Sequence, residues 1–269
     1  MTQVALWGNG TDLSLLSSMS ADELRSLQGR KVIEDSRRNI VDDDSEAVYS
    51  YLVSPTRANR RIDIVLDNAG FELFTDLVYA AYLLESGLAS YVVLWVKDFP
   101  WFVSDATQTD VSSLLQHLED PKLFPDRDCM EPIARTLSRF LEDGSMTVRS
   151  HAFWTTAESF HGMQTYAPGL LKSLRSSALV IFKGDLNYRK LTMDGLWPHD
   201  TPFSAALGPL GGGSGVKVLT LRTNKADVCV GVEDHDRLER LLSEQPTGVW
   251  LRDGKHAVIS FSDGCLERP

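Results

Sequence analysis

Arg61-Ile-Asp-Ile-Val-Leu-Asp67-Asn68-Ala-Gly-Phe-Glu72-Leu-Phe-Thr-Asp76-Leu77 is the stretch on which the fold turns. An apolar strand stops abruptly at an adjacent acid and amide, and the chain then enters a helix. Oxygen donors at such a corner suit a hard divalent cation. The plainer reading is that Asp67 or Asn68 only caps the helix that begins near Ala69. A second apolar run, Tyr91-Val-Val-Leu-Trp-Val-Lys97, weighs against it, because Asp98-Phe-Pro-Trp-Phe-Val-Ser-Asp105 follows and again puts an acid just beyond a strand. Neighbouring parallel strands end on one edge of their sheet, where ligands bind in open α/β folds. Asp67, Asn68 and Asp105 are therefore expected around one metal ion.

Outward from this corner, strands and helices alternate. The pattern predicts a strand from Ile62, a helix over 69–85, a strand over 91–97, helices over 110–118 and 131–142, a short strand over 151–154 and a helix over 169–176. Strands over 178–182, 216–221 and 228–232, a helix over 234–243 and a final strand over 256–261 complete it. Before the corner, Ser20-Ala-Asp-Glu23 is a capping-box pattern for a helix through Gln28, and 40–53 reads as a helix opening in an acidic turn. Such interleaving implies an α/β domain of three layers, a largely parallel sheet with helices on both faces. Residues 1–60 read as a partial helical or linker region and 61–269 as the α/β domain. Pro209-Leu-Gly-Gly-Gly-Ser-Gly215 lacks the lysine of a phosphate loop and reads as a flexible connection.

Composition bounds the function. The 269 residues are 43% hydrophobic and 24% charged, as in ordinary globular domains. A net charge of -10 argues against a nucleic-acid or anionic-membrane partner. An anionic substrate must then be attracted locally, by the metal together with Arg189, Arg222 and Lys225. Cys129, Cys229 and Cys265 show no paired spacing, and their odd number fits plain thiols in a reducing compartment. With no basic-then-apolar leader and no apolar run of about 18 residues, the chain reads as cytoplasmic. The six histidines have no metal-binding helix spacing, so a histidine zinc site is not expected. Trp95, Trp101, Trp154 and Trp197 read as core or pocket wall, with Trp101 and Trp154 the candidates for a cleft lining. Serine-hydrolase elbow, dinucleotide fingerprint and paired-cysteine zinc motif are all missing.

Two further polar words follow apolar runs. Lys183-Gly-Asp185-Leu-Asn187-Tyr-Arg189 is either a charged turn or a ligand site in which Asp185 and Asn187 suit sugar hydroxyls and the planar fork of Arg189 suits phosphate oxygens. Arg222-Thr-Asn-Lys225 is either a solvated basic turn or a phosphate contact through Lys225, with the role of Arg222 open.

Taken in order, Asp67 to Leu77, Pro100-Trp-Phe-Val-Ser-Asp105, Lys183-Gly-Asp-Leu-Asn-Tyr-Arg-Lys-Leu191 and Leu221-Arg-Thr-Asn-Lys-Ala-Asp227 resemble the motifs of the metal-dependent damage-control phosphatases. The branch is the one also described as acidic-residue methyltransferases, and Leu6-Trp-Gly-Asn-Gly-Thr-Asp-Leu13 is similar to its entry into the domain. The resemblance implies a divalent metal, commonly manganese, cobalt, nickel or magnesium, on Asp67, Asn68 and Asp105. It implies a sugar-phosphate site built from the 183–189 segment and Lys225, with Glu72 facing it. The activity implied is hydrolysis of small phosphorylated metabolites, such as fructose 1-phosphate or fructose 6-phosphate, in metabolite damage control. Asp67 or Asp105 as general base, or a carboxylate as nucleophile, both stay open. An alternative from the same resemblance is methyl transfer from S-adenosylmethionine to protein glutamates, although no glycine-rich methyltransferase loop is present. Because the family's proteins carry a helical region ahead of this domain, a third reading is an inactive truncated fragment. Oligomeric state is not legible.

Overall fold

The computed structural model describes residues 1–8, 36–55, 59–125 and 127–265. In chain order its elements are α1 (Thr2–Gly8), β1 (Ile40–Asp43), α2 (Ser45–Val53), β2 (Arg61–Val65), α3 (Phe71–Glu85), β3 (Tyr91–Val96), α4 (Gln108–Glu119), α5 (Arg127–Glu142) and β4 (Met146–Ser150). The chain continues through α6 (Met163–Tyr166), α7 (Pro168–Arg175), β5 (Leu179–Lys183), α8 (Gly184–Leu191), α9 (Phe203–Ala206), β6 (Val218–Thr223), α10 (His235–Glu244) and β7 (Ala257–Ser262). The strands form one sheet in the order β1-β7-β6-β5-β2-β3-β4, parallel at every pairing except the antiparallel β6–β7. This is the expected three-layer α/β architecture.

The period-two geometry of a strand explains why the central runs read as continuously apolar. Ile62 and Ile64 of β2 join Val92, Leu94 and Val96 of β3 in one core, and Val65, Val93 and Trp95 join Val180 and Phe182 in the other. α1, α2 and α3 contribute Leu6, Val48, Leu52, Leu73 and Leu77 to the first core, so the described residues before 61 pack on the same sheet. The path runs from β2 outward through β3 to β4, then returns to β5 on the other flank of β2 and continues to β6. That reversal is a topological switch point, and it opens a crevice above the carboxyl ends of β2 and β5.

Four expectations change. The 40–53 segment splits into β1 and α2 at Asp44, because Ile40, Asp42 and Asp43 find parallel partners in β7. The strand placed at 151–154 is instead Met146–Ser150, followed by a 3-10 turn over Ala152–Thr155 in which Phe153 N donates to His151 Nδ1. Residues 228–232 form no ladder: Val230 N donates to the Tyr188 hydroxyl, Gly231 N to Thr201 O and Val232 N to His199 O. The edge of β6 they would need is taken by β7. The glycine-rich 209–215 stretch is tied down, with Gly213 N and Gly215 N both donating to Gly264 O. The helix expected over 20–28 lies outside the described residues.

β1 carries a pH-sensitive contact. Burial pushes the Asp42 carboxyl up to about 8, against the hydrogen bond it accepts from Ser260 and with Asp44, Glu233 and Asp43 adding repulsion. A raised folded-state pKa stabilises the fold fully below the unfolded value, and the contribution is lost as pH climbs through the folded one. Asp42→Asn should flatten the fall in melting temperature between about pH 5 and about pH 8, as read by thermal melts across that range. An unchanged slope would remove Asp42 as its source.

Candidate functional site

The loops that leave β2, β3, β5 and β6 surround a cavity of about 610 Å³ lined by Asp67, Asn68, Glu72, Asp105, Asp185, Arg189 and Lys225 among others. Backbone contacts lock two of these loops together. Asn68 and Asp105 form an isolated antiparallel bridge, Ala69 N donates to Ser104 O at 2.8 Å, and Ala106 N donates to Asp67 O at 2.7 Å. Just beyond, Thr107 and Asp110 close a reciprocal capping box that starts α4. The N-cap of α3 is Gly70, without a side-chain cap, so neither Asp67 nor Asn68 serves in that role.

Around the floor, charge is concentrated and buried. Asp67, Glu72, Asp76 and Asp105 are all buried, as are Lys97 and Lys183. Lys97 Nζ donates to Leu66 O at 2.8 Å and stands 3.2 Å from Asp105 Oδ2. Lys183 Nζ donates to Ala5 O at 2.7 Å and to Glu72 Oε1 at 3.2 Å, and meets Asp76 Oδ1 at 2.8 Å. Asn68 Nδ2 donates to Asp67 Oδ2 at 3.0 Å and Glu72 Oε2 at 2.9 Å, while its Oδ1 accepts from Ser104 Oγ at 2.6 Å. Burial, then the charges of Glu72 and Asp105, hold the Asp67 carboxyl well above the usual carboxylate range. Burial also raises Asp105, with Lys97 opposing it, and brings Asp76 up to about 7. For Lys183 burial works against the charge, yet Asp76 and Glu72 prevail and its proton is held more tightly than in water.

Two observations bear on a cation. Asp63, buried in the middle of β2, is a carboxylate built for structure: Arg61, Trp95 Nε1 and Ser177 Oγ all donate to it. Asp105 Oδ2 is equally buried but receives no hydrogen bond; the Lys97 contact is an ion pair without hydrogen-bond geometry. Repulsion from Glu72 adds to burial in raising both Asp67 and Asp105, a crowding of acid that a bound cation would offset. Among the described residues no three His, Cys, Asp or Glu side chains converge as a ready metal cluster; Asn68 adds an amide oxygen beside the carboxylates, where it accepts from Ser104 Oγ. The oxygen-only set Asp67, Asn68, Asp105 fits a hard cation. Gly184 makes room for the Asp67 carboxylate at the β5–α8 junction: it sits at φ +81°, and a Cβ there would fall 1.8 Å from Asp67 Oδ2.

The opposite wall is basic at its surface. Asp185 lines the cavity and accepts from Arg222 Nε at 2.7 Å and from Lys225 N at 3.0 Å, which sets the Lys225 loop. Arg222, left open by the sequence, is a fully buried strut that also donates to Val228 O and Ala226 O and stacks on Tyr188. Arg189 lines the cavity with its Nε and Nη2 held by Asp194 at 3.0 and 2.6 Å. Asn187 differs from expectation. It is turned into the fold, donating to Lys183 O, Leu66 O and Val65 O, and does not line the cavity. Trp154 belongs to the core, while Trp101 supports Phe102 from behind. Lys97, Asp76 and Ser104 were not singled out by the sequence.

Fold and cleft define the class: an open α/β domain with a carboxylate-lined ligand cleft at the switch point of its sheet. The family profile described as the damage-control phosphatase ARMT1-like domain matches residues 1–241, and the chain belongs to that family. It is 39% identical to damage-control phosphatase ARMT1 of Danio rerio over 97% of this chain and 57% of that protein. To the Homo sapiens protein of the same description it is 35% identical, over 99% of this chain and 58% of that one. The chain thus spans under three fifths of the length of these curated relatives. A crystal structure of a DUF89 family protein from Pyrococcus horikoshii covers 84% of this chain and 58% of that one at 18% identity with a TM-score of 0.49, too loose a likeness to carry an argument. Among the described residues no helix is long and apolar enough to cross a membrane.

Proposed function

We propose that the cleft hydrolyses small phosphate monoesters with the help of one divalent cation held by Asp67, Asn68 and Asp105. The observation that carries this is the meeting of Asp67, Asn68 and Asp105 in one cavity at the strand ends, with a buried Asp105 oxygen that receives no hydrogen bond. Manganese, cobalt, nickel or magnesium would supply Lewis-acid polarisation of a phosphoryl oxygen. Lys225 and Arg189 approach from the opposite wall and offset charge on the remaining oxygens. Asp185 keeps the Lys225 backbone in place, and Asp194 presents the Arg189 guanidinium. Glu72 and Lys183 hold the Asn68 amide beside Asp67 from beneath. The proton of the attacking water goes to one of the two cleft carboxylates, Asp67 or Asp105.

Hexose phosphates of the fructose 1-phosphate and fructose 6-phosphate type, removed as damaged or surplus metabolites, are the substrates this reading favours; the relatives' description as damage-control phosphatases supports its phosphatase and damage-control part. A cytoplasmic setting accords with Cys229 and Cys265 as free thiols. The test is phosphate release from a panel of sugar phosphates by the purified chain with manganese, cobalt, nickel or magnesium, beside a chelator control. Release that needs metal and stops with chelator is the expected result. Release indifferent to chelator would overturn the role given to Asp67, Asn68 and Asp105.

A further inference from the structure

The mouth of the cleft differs from its floor. Pro100, Phe102 and Val103, from the loop between β3 and Asp105, line it together with Phe71 and Leu186. Phe102 and Val103 are 65% and 91% exposed, unusual for large apolar side chains next to a charged site. Both sit in the left-handed region, at φ 46° and 74°, which for a β-branched valine is a true outlier. The loop is held there at both ends: Asp105 N donates to Trp101 O, and Ser104 Oγ donates to Asn68 Oδ1. Phe99, Trp101 and Phe102 brace each other edge to face at 5.5 and 5.6 Å. A strained backbone that keeps two apolar side chains in water at the entrance of a cleft calls for a ligand that covers them.

We propose that this rim is a subsite for the alcohol half of the substrate, one that takes a flat apolar face. It rests on the phosphatase reading for the phosphate end. With the phosphate on the floor, the ester's carbon skeleton passes between Phe102 and Val103 on one side and Phe71 and Leu186 on the other. The C–H face of a sugar ring meets such a wall in part; an aromatic ring meets it fully. The rim therefore adds affinity in proportion to the flat apolar face an ester presents, in part for the C–H face of a hexose and in full for an aromatic ring.

The experiment is calorimetric titration of the full chain, in the presence of magnesium, with benzylphosphonate, methylphosphonate and orthophosphate. Benzylphosphonate is expected to bind about tenfold more tightly than methylphosphonate. Phe102→Ala and Val103→Gly should each cut that ratio to about threefold or less. Val103→Gly carries a second signature: it releases the left-handed strain, so its melting temperature should hold or rise as the preference falls. Equal affinity for the two phosphonates, or a preference that survives both variants, overturns the proposal. So does loss of orthophosphate binding in Phe102→Ala, since the rim would then act on the floor. Orthophosphate that fails to bind the unaltered chain counts against the phosphatase reading itself, and the subsite falls with it.

Discussion

Asp67→Asn should lower metal-stimulated phosphate release by on the order of a thousandfold and leave the fold intact. The amide has nearly the shape of the carboxylate it replaces, so the β2–α3 corner keeps its packing. What disappears is the ionisable group, at a position only 4% exposed where burial, and then the charges of Glu72 and Asp105, hold the carboxyl well above the usual range. Taking away one of several crowded negative charges relieves repulsion, and the variant's melting temperature in chelator should be no lower than that of the parent. Added metal should raise the melting temperature of the parent but not of the variant, because only a bound cation shifts the folding equilibrium. Asp105→Asn should behave alike. Undiminished metal-stimulated turnover in both variants would sink the proposed site.

Lys183→Met should do the reverse and strike stability first, at a cost of about 3–5 kcal/mol in urea melts. Its ammonium is fully buried between Ala5 O, Glu72 and Asp76, and methionine fills the volume while leaving two carboxylates facing each other without a cation. Adding Asp76→Asn removes one of them. Lys183→Met/Asp76→Asn should therefore be more stable than Lys183→Met alone, a coupling that a double-mutant cycle reads directly. Additive losses would mean that the lysine acts through packing alone.

The sequence declared the central part of the fold because β2, β3, β5 and β6 are buried on both sides, and strands of that kind are written as unbroken apolar runs. The cleft was legible for a related reason: polar words placed at the ends of such runs have to collect on one edge. β1 was not legible, since four residues ending in two aspartates, with a third just after, look like the acidic opening of a helix until β7, more than two hundred residues away, supplies a partner. The inward turn of Asn187 was lost for want of a rotation angle. Once Gly184 starts a helix, residue 187 is carried one turn above Lys183 and bonds its carbonyl. Lys97 and Lys183 look like ordinary strand-end lysines. Their burial depends on Leu66 O, Ala5 O and acids from other elements, and no local periodicity encodes such long-range partners.

The contact between Gly184 and Asp67 divides the cleft by its freedom to vary. A saturation library at residue 184 has almost nowhere to go, because every other side chain begins with the Cβ that collides with the Asp67 carboxylate and inherits a backbone angle suited to glycine. Phe71, Phe102 and Val103 face open space and meet no comparable obstacle. Directed evolution of this chain toward new esters would thus proceed along the entrance, while the chemistry beneath it is inherited unchanged.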